Sequence, residues 1–193
     1  MKSICVFCGS SPGKREEYKV AATQLGRSIA ERGQTLVYGG AKVGLMGMVA
    51  DGALEAGGKV VGVLPEALSA KELAHPGLSE LHIVGSMHDR KAMMSDLSDG
   101  FVCLPGGAGT MEEMFEVWTW AQLGYHKKPC GLLNVNGFYG RLLAFLDLMV
   151  EEEFLKPDMR EMVLVKDTAA AMLDAFDAYQ PPRVPKWITR AET

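Results

Sequence analysis

The chain has 193 residues, 48% of them hydrophobic and 23% charged, which is typical of a globular protein with one sizeable core. Its formal net charge of −4 argues against a protein that gains affinity by neutralising nucleic-acid phosphates. No apolar stretch approaches the roughly 20 residues needed to cross a bilayer, and the apolar run at the N-terminus is too short for a signal peptide. We therefore expect a protein that binds neither nucleic acid nor a membrane.

Short apolar runs alternate with longer helical patterns along almost the whole chain. In chain order, strands are predicted at residues 3–8, 35–38, 59–64, 81–84, 100–104, 130–135 and 163–165. Helices are predicted between and after them, at residues 14–32, 45–56, 89–97, 110–123, 139–152 and 168–178. Several strands are almost continuously apolar, which is typical of a parallel sheet covered by helices on both faces.

This alternation predicts an α/β fold, with a single doubly wound, Rossmann-like domain over residues 1–179 and a mostly parallel sheet of about seven strands. Residues 180–193 contain three prolines and are predicted to form an extended, peripheral tail. The longest irregular segment, residues 65–80, follows the carboxyl end of the third strand. Since ligands gather at that edge of such sheets, the segment is a candidate lining or lid of a binding site.

The four cysteines do not form the pattern of a disulfide framework, although Cys5 and Cys8 form a C-x-x-C pair. Redox-active pairs of the thioredoxin type open a helix, whereas this pair lies inside the first predicted strand. No second Cys or His pair at zinc-ligand spacing accompanies it. We interpret the cysteines as buried, reduced thiols of a cytoplasmic protein, with metal or redox use as the alternative. No metal site is predicted.

The strongest local signal is a glycine-rich segment between the fifth predicted strand and a helix, Pro105-Gly106-Gly107-Ala108-Gly109-Thr110-Met111-Glu112-Glu113. Its glycines let the backbone approach a ligand closely, and the N–H groups that open the helix form an anion site. A phosphate is the natural occupant, and Thr110 adds a hydroxyl donor. The segment lacks the lysine of a P-loop, and the first strand is not followed by the dinucleotide-binding pattern. An ordinary tight turn is the alternative.

Charged residues accompany the glycines. Glu112 and Glu113 lie in the first turn of the helix and Glu116 lies one turn later. For one of these acids, simple stabilisation of the helix is the alternative explanation, because an acid near a helix N-terminus stabilises it by about 0.3–1 kcal/mol. Upstream, Arg90 and Lys91 lie at the start of another predicted helix, where the dipole disfavours cations. This placement predicts an anionic partner, which is either a ligand or the carboxylates of the glycine-loop helix. A solvated pair of cations is the alternative.

Two further glycine turns follow predicted strands, one containing Ser10 and the other containing Gly40. All such turns meet at the same edge of a parallel sheet, so their backbones are expected to approach the same ligand. Ordinary turns between strand and helix are an equally good interpretation.

These segments together resemble the LONELY GUY (LOG) family of cytokinin riboside 5′-monophosphate phosphoribohydrolases. Residues 105–113 match the family's PGGxGTxxE signature, and the similarity continues through residues 116–124 and at residues 87–91. Residues 39–40, 44–47 and 131–135 are also similar to family segments, so that the resemblance covers roughly residues 3–155. It implies a Rossmann-like, usually homodimeric enzyme that releases a free base and ribose 5-phosphate from a nucleoside 5′-monophosphate.

The resemblance implies that Arg90 and Glu113 form the catalytic pair. With the motifs, it predicts substrate binding by Ser10, Gly40, Glu72, Lys91, Gly106, Gly107, Ala108, Gly109, Thr110, Met111, Glu112, Glu116 and Thr119. Cleavage of the glycosidic bond builds positive charge on the ribose, which a carboxylate beside C1′ stabilises while it activates water. The expected ligand is AMP or an N6-substituted AMP, and neither a metal nor an organic cofactor is needed.

Two other functions stay open at this point. A non-catalytic carrier of a nucleotide or of the molybdenum cofactor, on the same fold, would use the glycine loop without needing Glu113. The family has also been labelled lysine decarboxylase, but that chemistry needs pyridoxal phosphate on a lysine, and no clear lysine lies beside the glycine loop.

Overall fold

The structure, a computed structural model, describes residues 1–69, 73–185 and 187. Over these residues the seven strands are β1 (Ser3–Phe7), β2 (Thr35–Tyr38), β3 (Val60–Pro65), β4 (Glu80–Val84), β5 (Gly100–Cys103), β6 (Cys130–Leu133) and β7 (Val163–Lys166). They form one sheet in the order β4-β3-β2-β1-β5-β6-β7. Every neighbouring pair in the sheet is parallel, so the predicted doubly wound α/β fold is confirmed.

Helices cover both faces of the sheet. They are α1 (Glu16–Glu31), α2 (Gly44–Glu55), α3 (Glu66–Ser69), α4 (Met87–Asp96), α5 (Ala108–Gln122), α6 (Gly140–Glu151), α7 (Pro157–Glu161) and α8 (Ala169–Asp177). The sequence analysis missed α3 and α7, because a helix of one turn is too short to show an apolar period. Helix α3 lies inside the segment predicted to be irregular, and α7 begins with a proline, a residue favoured at that position.

The strand order reverses between β1 and β5, which are neighbours in the sheet although three strands separate them in the chain. At such a switch point the connecting loops diverge to opposite faces of the sheet and open a crevice at the carboxyl edge. The two loops stay tied at their roots, because the N–H of Gly9 donates to the carbonyl of Pro105 at 3.1 Å. The topology therefore places the glycine-rich segment at the position where such sheets bind ligands.

Two apolar cores lie on opposite faces of the sheet, and β1 supplies both. Ile4 and Val6 pack in the core beneath α1 and α2, whereas Cys5 and Phe7 pack in the core beneath α4 and α5. This division explains why central strands such as β1 and β3 are almost continuously apolar. All four cysteines are free and buried, as predicted, and burial raises the pKa of each thiol, which keeps it protonated.

After α8, residues 180–185 form neither helix nor strand. Val184 packs against the core beneath α5, and the N–H of Trp187 donates to the carbonyl of Leu123 at 2.9 Å. The described part of the tail thus contacts the body of the molecule at Val184 and Trp187. In the portion of the chain that the structure describes, no helix has the length and apolarity required to cross a membrane.

Candidate active site

The glycine-rich segment forms the turn from β5 into α5. Gly107 is the N-cap of α5, and the first backbone bond into it runs from the N–H of Met111 to the carbonyl of Gly107 at 3.2 Å. Helix geometry leaves the N–H groups of residues 108–110 without acceptors inside the helix. A glycine is required at position 106, because a Cβ atom there would overlap the buried hydroxyl of Thr110. The segment therefore presents backbone donors and one hydroxyl at the positive end of a helix.

These donors face a cavity of about 300 Å³ at the carboxyl edge of the sheet, which is enough for a small nucleotide-sized ligand. The lining residues come from the loops and helices that follow four strands. They are Cys8, Gly9, Ser10, Met46, Met87, Arg90, Gly107, Ala108, Gly109, Thr110, Glu112 and Glu113. The cavity therefore combines backbone donors, two carboxylates, one guanidinium group and two thioethers.

A buried ion pair lies in the wall of this cavity. Arg90 of α4 donates from Nη1 to Oε1 of Glu113 on α5 at 2.6 Å, and from Nε to the carbonyl of Val63 at 3.2 Å. Only 8% of Arg90 and 7% of Glu113 is exposed, so the hypothesis of a solvated cation is wrong for Arg90. The predicted alternative, a carboxylate of the glycine-loop helix as partner, is confirmed.

Gly39 provides the space for this arginine. A Cβ atom at Gly39 would overlap Nη2 of Arg90. Its neighbour Gly40 has a φ of +76° and packs against Leu64 and Leu81, outside the lining of the cavity. The second glycine turn thus shapes the site by making room for Arg90, whereas the sequence analysis expected its backbone to approach the ligand.

Lys91 lies outside the lining of the cavity and holds two acids of α5. Its Nζ atom donates to Oε1 of Glu112 and, at 3.0 Å, to Oε1 of Glu116. Burial lowers the pKa of Lys91, but the hydrogen bonds to Glu112 and Glu116 outweigh that effect, so the pKa lies above its ordinary value. Lys91 is therefore a fixed cation that orients Glu112 at the rim of the cavity.

The protonation of Glu113 is set by two opposing effects. Burial raises the pKa of this carboxyl group, and the adjacent Arg90 guanidinium offsets only part of the rise. The pKa of Glu113 thus lies above the ordinary glutamate value. A carboxylate with these properties is partly desolvated and accepts a proton more readily than a surface glutamate, which suits a group that activates water.

The structure brings eight of the predicted residues to the cavity, namely Ser10, Arg90, Gly107, Ala108, Gly109, Thr110, Glu112 and Glu113. Six others lie outside its lining, namely Gly40, Lys91, Gly106, Met111, Glu116 and Thr119. Thr119 is exposed on α5, and Glu116 contacts the cavity only through Lys91 and Glu112. The prediction for Glu72 falls outside the described residues.

Sequence reasoning missed three lining residues, Cys8, Met46 and Met87, whereas Gly9 belongs to the turn around Ser10 that was expected to approach the ligand. Met87 is the first residue of α4 and Met46 the third residue of α2, so both lie in the first turn of a helix that follows a glycine turn. The first turn of every such helix lies at the carboxyl edge of the sheet, so this position in the sequence is the signal that could have identified both methionines. Among the described residues, no group of three or more metal-binding side chains is placed to hold an ion.

The sequence of this chain is similar to those of a set of known proteins. Residues 46–176 match the family model described as possible lysine decarboxylase. A protein of Oryza sativa named probable cytokinin riboside 5′-monophosphate phosphoribohydrolase LOGL5 is 52% identical over 181 residues, which cover 94% of this chain and 74% of that protein. The cytokinin riboside 5′-monophosphate phosphoribohydrolase of Rhodococcoides fascians is 52% identical over 173 residues, 89% of this chain and 87% of that one.

Solved structures confirm the fold at lower identity. The molybdenum cofactor carrier protein of Chlamydomonas reinhardtii superposes with a TM-score of 0.69 at 26% identity, covering 92% of this chain and 96% of that one. The molybdenum cofactor binding protein of Rippkaea orientalis gives a TM-score of 0.71 at 22% identity, covering 92% of this chain and 97% of that one. With about half of its residues shared with phosphoribohydrolases over nearly its whole length, the chain belongs to the LOG family, whose model carries the lysine decarboxylase description.

Proposed function

We propose that the protein hydrolyses the N-glycosidic bond of a cytokinin or adenine-type nucleoside 5′-monophosphate to give the free base and ribose 5-phosphate. One observation carries this proposal: a phosphate cradle and a buried carboxylate lie in the same cavity, on the first turns of one helix. Both line one cavity of about 300 Å³, which supports simultaneous contact with a single nucleotide.

The 5′-phosphate binds the N–H groups of residues 107–110 and the Thr110 hydroxyl. Its binding energy holds C1′ beside Glu113, so that the reacting atoms are positioned before the bond breaks. As the bond from C1′ to the base nitrogen lengthens, positive charge grows on the ribose, and the Glu113 carboxylate stabilises it. Water adds its oxygen to C1′ and gives up a proton, and the departing base nitrogen gains one, so the products balance.

Arg90 orients the catalytic carboxylate. Its Nη1 atom donates to Glu113 and its Nε atom to the carbonyl of Val63, and these two contacts support a role in fixing Glu113 over a direct role at the departing base. Glu112, held by Lys91, is placed at the rim for the ribose hydroxyls. No step in this scheme needs a metal or an organic cofactor.

Product analysis tests the proposal. Purified protein is incubated with AMP and N6-isopentenyl-AMP, and with the matching ribosides as controls. We expect free base and ribose 5-phosphate from the monophosphates, and at least 100-fold slower release from the ribosides, because the phosphate supplies several charge-assisted hydrogen bonds. Equal rates on ribosides and monophosphates would contradict the proposed cradle.

The carrier function is the second candidate, because molybdenum cofactor carriers share the fold. Relatives at 52% identity carry the phosphoribohydrolase name, whereas the carriers stand at 22–26%. AMP binding without any product would favour the carrier. Lysine decarboxylation has less support, since no lysine lines the cavity among the described residues.

We further propose that the protein is a cytoplasmic homodimer. The four buried, protonated thiols suit a reducing compartment. Phe145, Leu148 and Phe154, on and just after α6, are 57%, 45% and 84% exposed, which supports an apolar face that a second copy covers. Sedimentation velocity is expected to give about twice the chain mass of 20.9 kDa, and a mass that stays near one chain at micromolar concentration would contradict the dimer.

A further inference from the structure

The phosphate cradle is joined to β5 by the peptide between Leu104 and Pro105. Strand β5 ends at Cys103, so this peptide lies beyond the sheet. Leu104 keeps one strand-like bond, from its N–H to the carbonyl of Phe7 at 3.0 Å. Because Pro105 has no N–H, the peptide plane that follows Leu104 can be held by a hydrogen bond only through the Leu104 carbonyl.

Tyr139 supplies that bond. Its hydroxyl group donates to the carbonyl oxygen of Leu104 at 2.6 Å, and the side chain is buried, with 1% of the residue exposed. The next carbonyl, that of Pro105, accepts from the N–H of Gly9 at 3.1 Å. Two consecutive peptides at the root of the cradle are therefore held from two sides, one by the turn after β1 and one by the turn before α6.

The tyrosine is itself fixed at its backbone. Its N–H donates to Oδ1 of Asn134 at 2.8 Å, and its ring packs edge-on against Phe138 with 4.9 Å between centroids. Burial raises the pKa of Tyr139, so the hydroxyl remains a protonated donor. The donor thus has a set position before any ligand arrives.

We propose that Tyr139 is a positioning residue for the 5′-phosphate, because its hydrogen bond to Leu104 sets the direction of the N–H groups in residues 107–110. The side chain does not touch the cavity and acts only through the backbone of the glycine loop. The inference rests on the proposed function in one respect, that a phosphate occupies this loop. It adds a residue that lies outside the PGGxGTxxE signature.

Tyr139→Phe removes the hydroxyl and keeps the ring. We expect KM for AMP, and the inhibition constant of ribose 5-phosphate, to rise roughly 2- to 12-fold, the loss that one neutral hydrogen bond produces. The kcat should stay within about twofold, and so should the inhibition constant of adenosine, which has no phosphate. A change confined to phosphorylated ligands is the result that a merely structural role would not produce.

Tyr38→Phe is the matched control. Tyr38 is also fully buried, but its hydroxyl has no hydrogen-bond partner among the described residues. We expect this variant to keep the wild-type KM for AMP. Thermal unfolding of both variants separates lost stability from lost phosphate affinity.

Two results would overturn the proposal: a KM for AMP within twofold of wild type in Tyr139→Phe, or equal weakening of AMP and adenosine. If Tyr139→Phe loses thermal stability but keeps the wild-type KM, the proposal is overturned in the same way, because the tyrosine then has only a structural role. If the wild-type protein releases no base, the proposed function fails, and equilibrium dialysis of AMP then decides the role of Tyr139 by the ratio of dissociation constants. Absence of AMP binding to the wild type would overturn both.

Discussion

Replacing Glu113 with glutamine is expected to lower kcat for base release from AMP by about 10³-fold, within the range found for removal of a catalytic acid or base. The amide is nearly isosteric and still accepts from Arg90 Nη1, so the buried contact survives. What it loses is the negative charge beside C1′ and the ability to take a proton from water. Because the phosphate cradle is untouched, the dissociation constant for AMP should change by no more than a few-fold.

The matched control is Glu112→Gln. Glu112 lines the same cavity on the same helix, but its side chain is 55% exposed and paired with Lys91. We expect a fall of no more than about tenfold, because the amide still accepts a hydrogen bond and an exposed ion pair is worth at most about 1 kcal/mol. If Glu112→Gln lowered kcat as far as Glu113→Gln, the assignment of the catalytic carboxylate would be wrong.

The pH dependence gives a second check on Glu113. Its pKa is raised, and the carboxylate is the active form, so activity is lost as pH falls through that raised value. The acid limb of kcat/KM is therefore expected above the ordinary glutamate pKa of about 4.3. The residual activity of Glu113→Gln should lack this limb, which a full profile between pH 4 and 8 would test.

Arg90→Gln is expected to cost both stability and activity. It leaves the Glu113 carboxylate buried and without its cationic partner, a situation that costs about 3–5 kcal/mol of unfolding free energy. The acid limb of kcat/KM should move to higher pH, because Arg90 lowers the pKa of Glu113. With the carboxylate misplaced and more easily protonated, kcat/KM for AMP should fall about 10²-fold. Urea unfolding and pH profiles provide the measurements.

The double variant Arg90→Gln, Glu113→Gln separates charge from packing. Two amides at these positions leave no unpaired buried charge, so we expect the double variant to be more stable than Arg90→Gln alone. Arg32→Gln is the control, since its pairs with Asp174 and Asp177 are more exposed and worth at most about 1 kcal/mol. A double variant as unstable as Arg90→Gln would show that the arginine acts through packing and not through its charge.

Local sequence chemistry determined most of the fold and is the basis of the proposed anion site. Continuous apolar strands such as β3, alternating with amphipathic helices, are sufficient for a parallel doubly wound sheet, because both faces must be covered. The glycines before α5 likewise predict a phosphate cradle, since a helix start without side chains exposes N–H groups wherever it occurs. The dipole argument at Arg90 correctly predicted that an anion would lie beside it.

Tertiary structure decided which of these groups meet. The sequence separates Gly39, Arg90 and Glu113 widely, and only the reversal of strand order between β1 and β5 brings their loops to one crevice. No local pattern could show that Gly39 makes room for a guanidinium group, that Lys91 pairs with Glu112 and Glu116, or that Tyr139 holds the Leu104 carbonyl. Each depends on side-chain contacts between distant segments, which the packing of helices on the sheet fixes and which local periodicity does not encode.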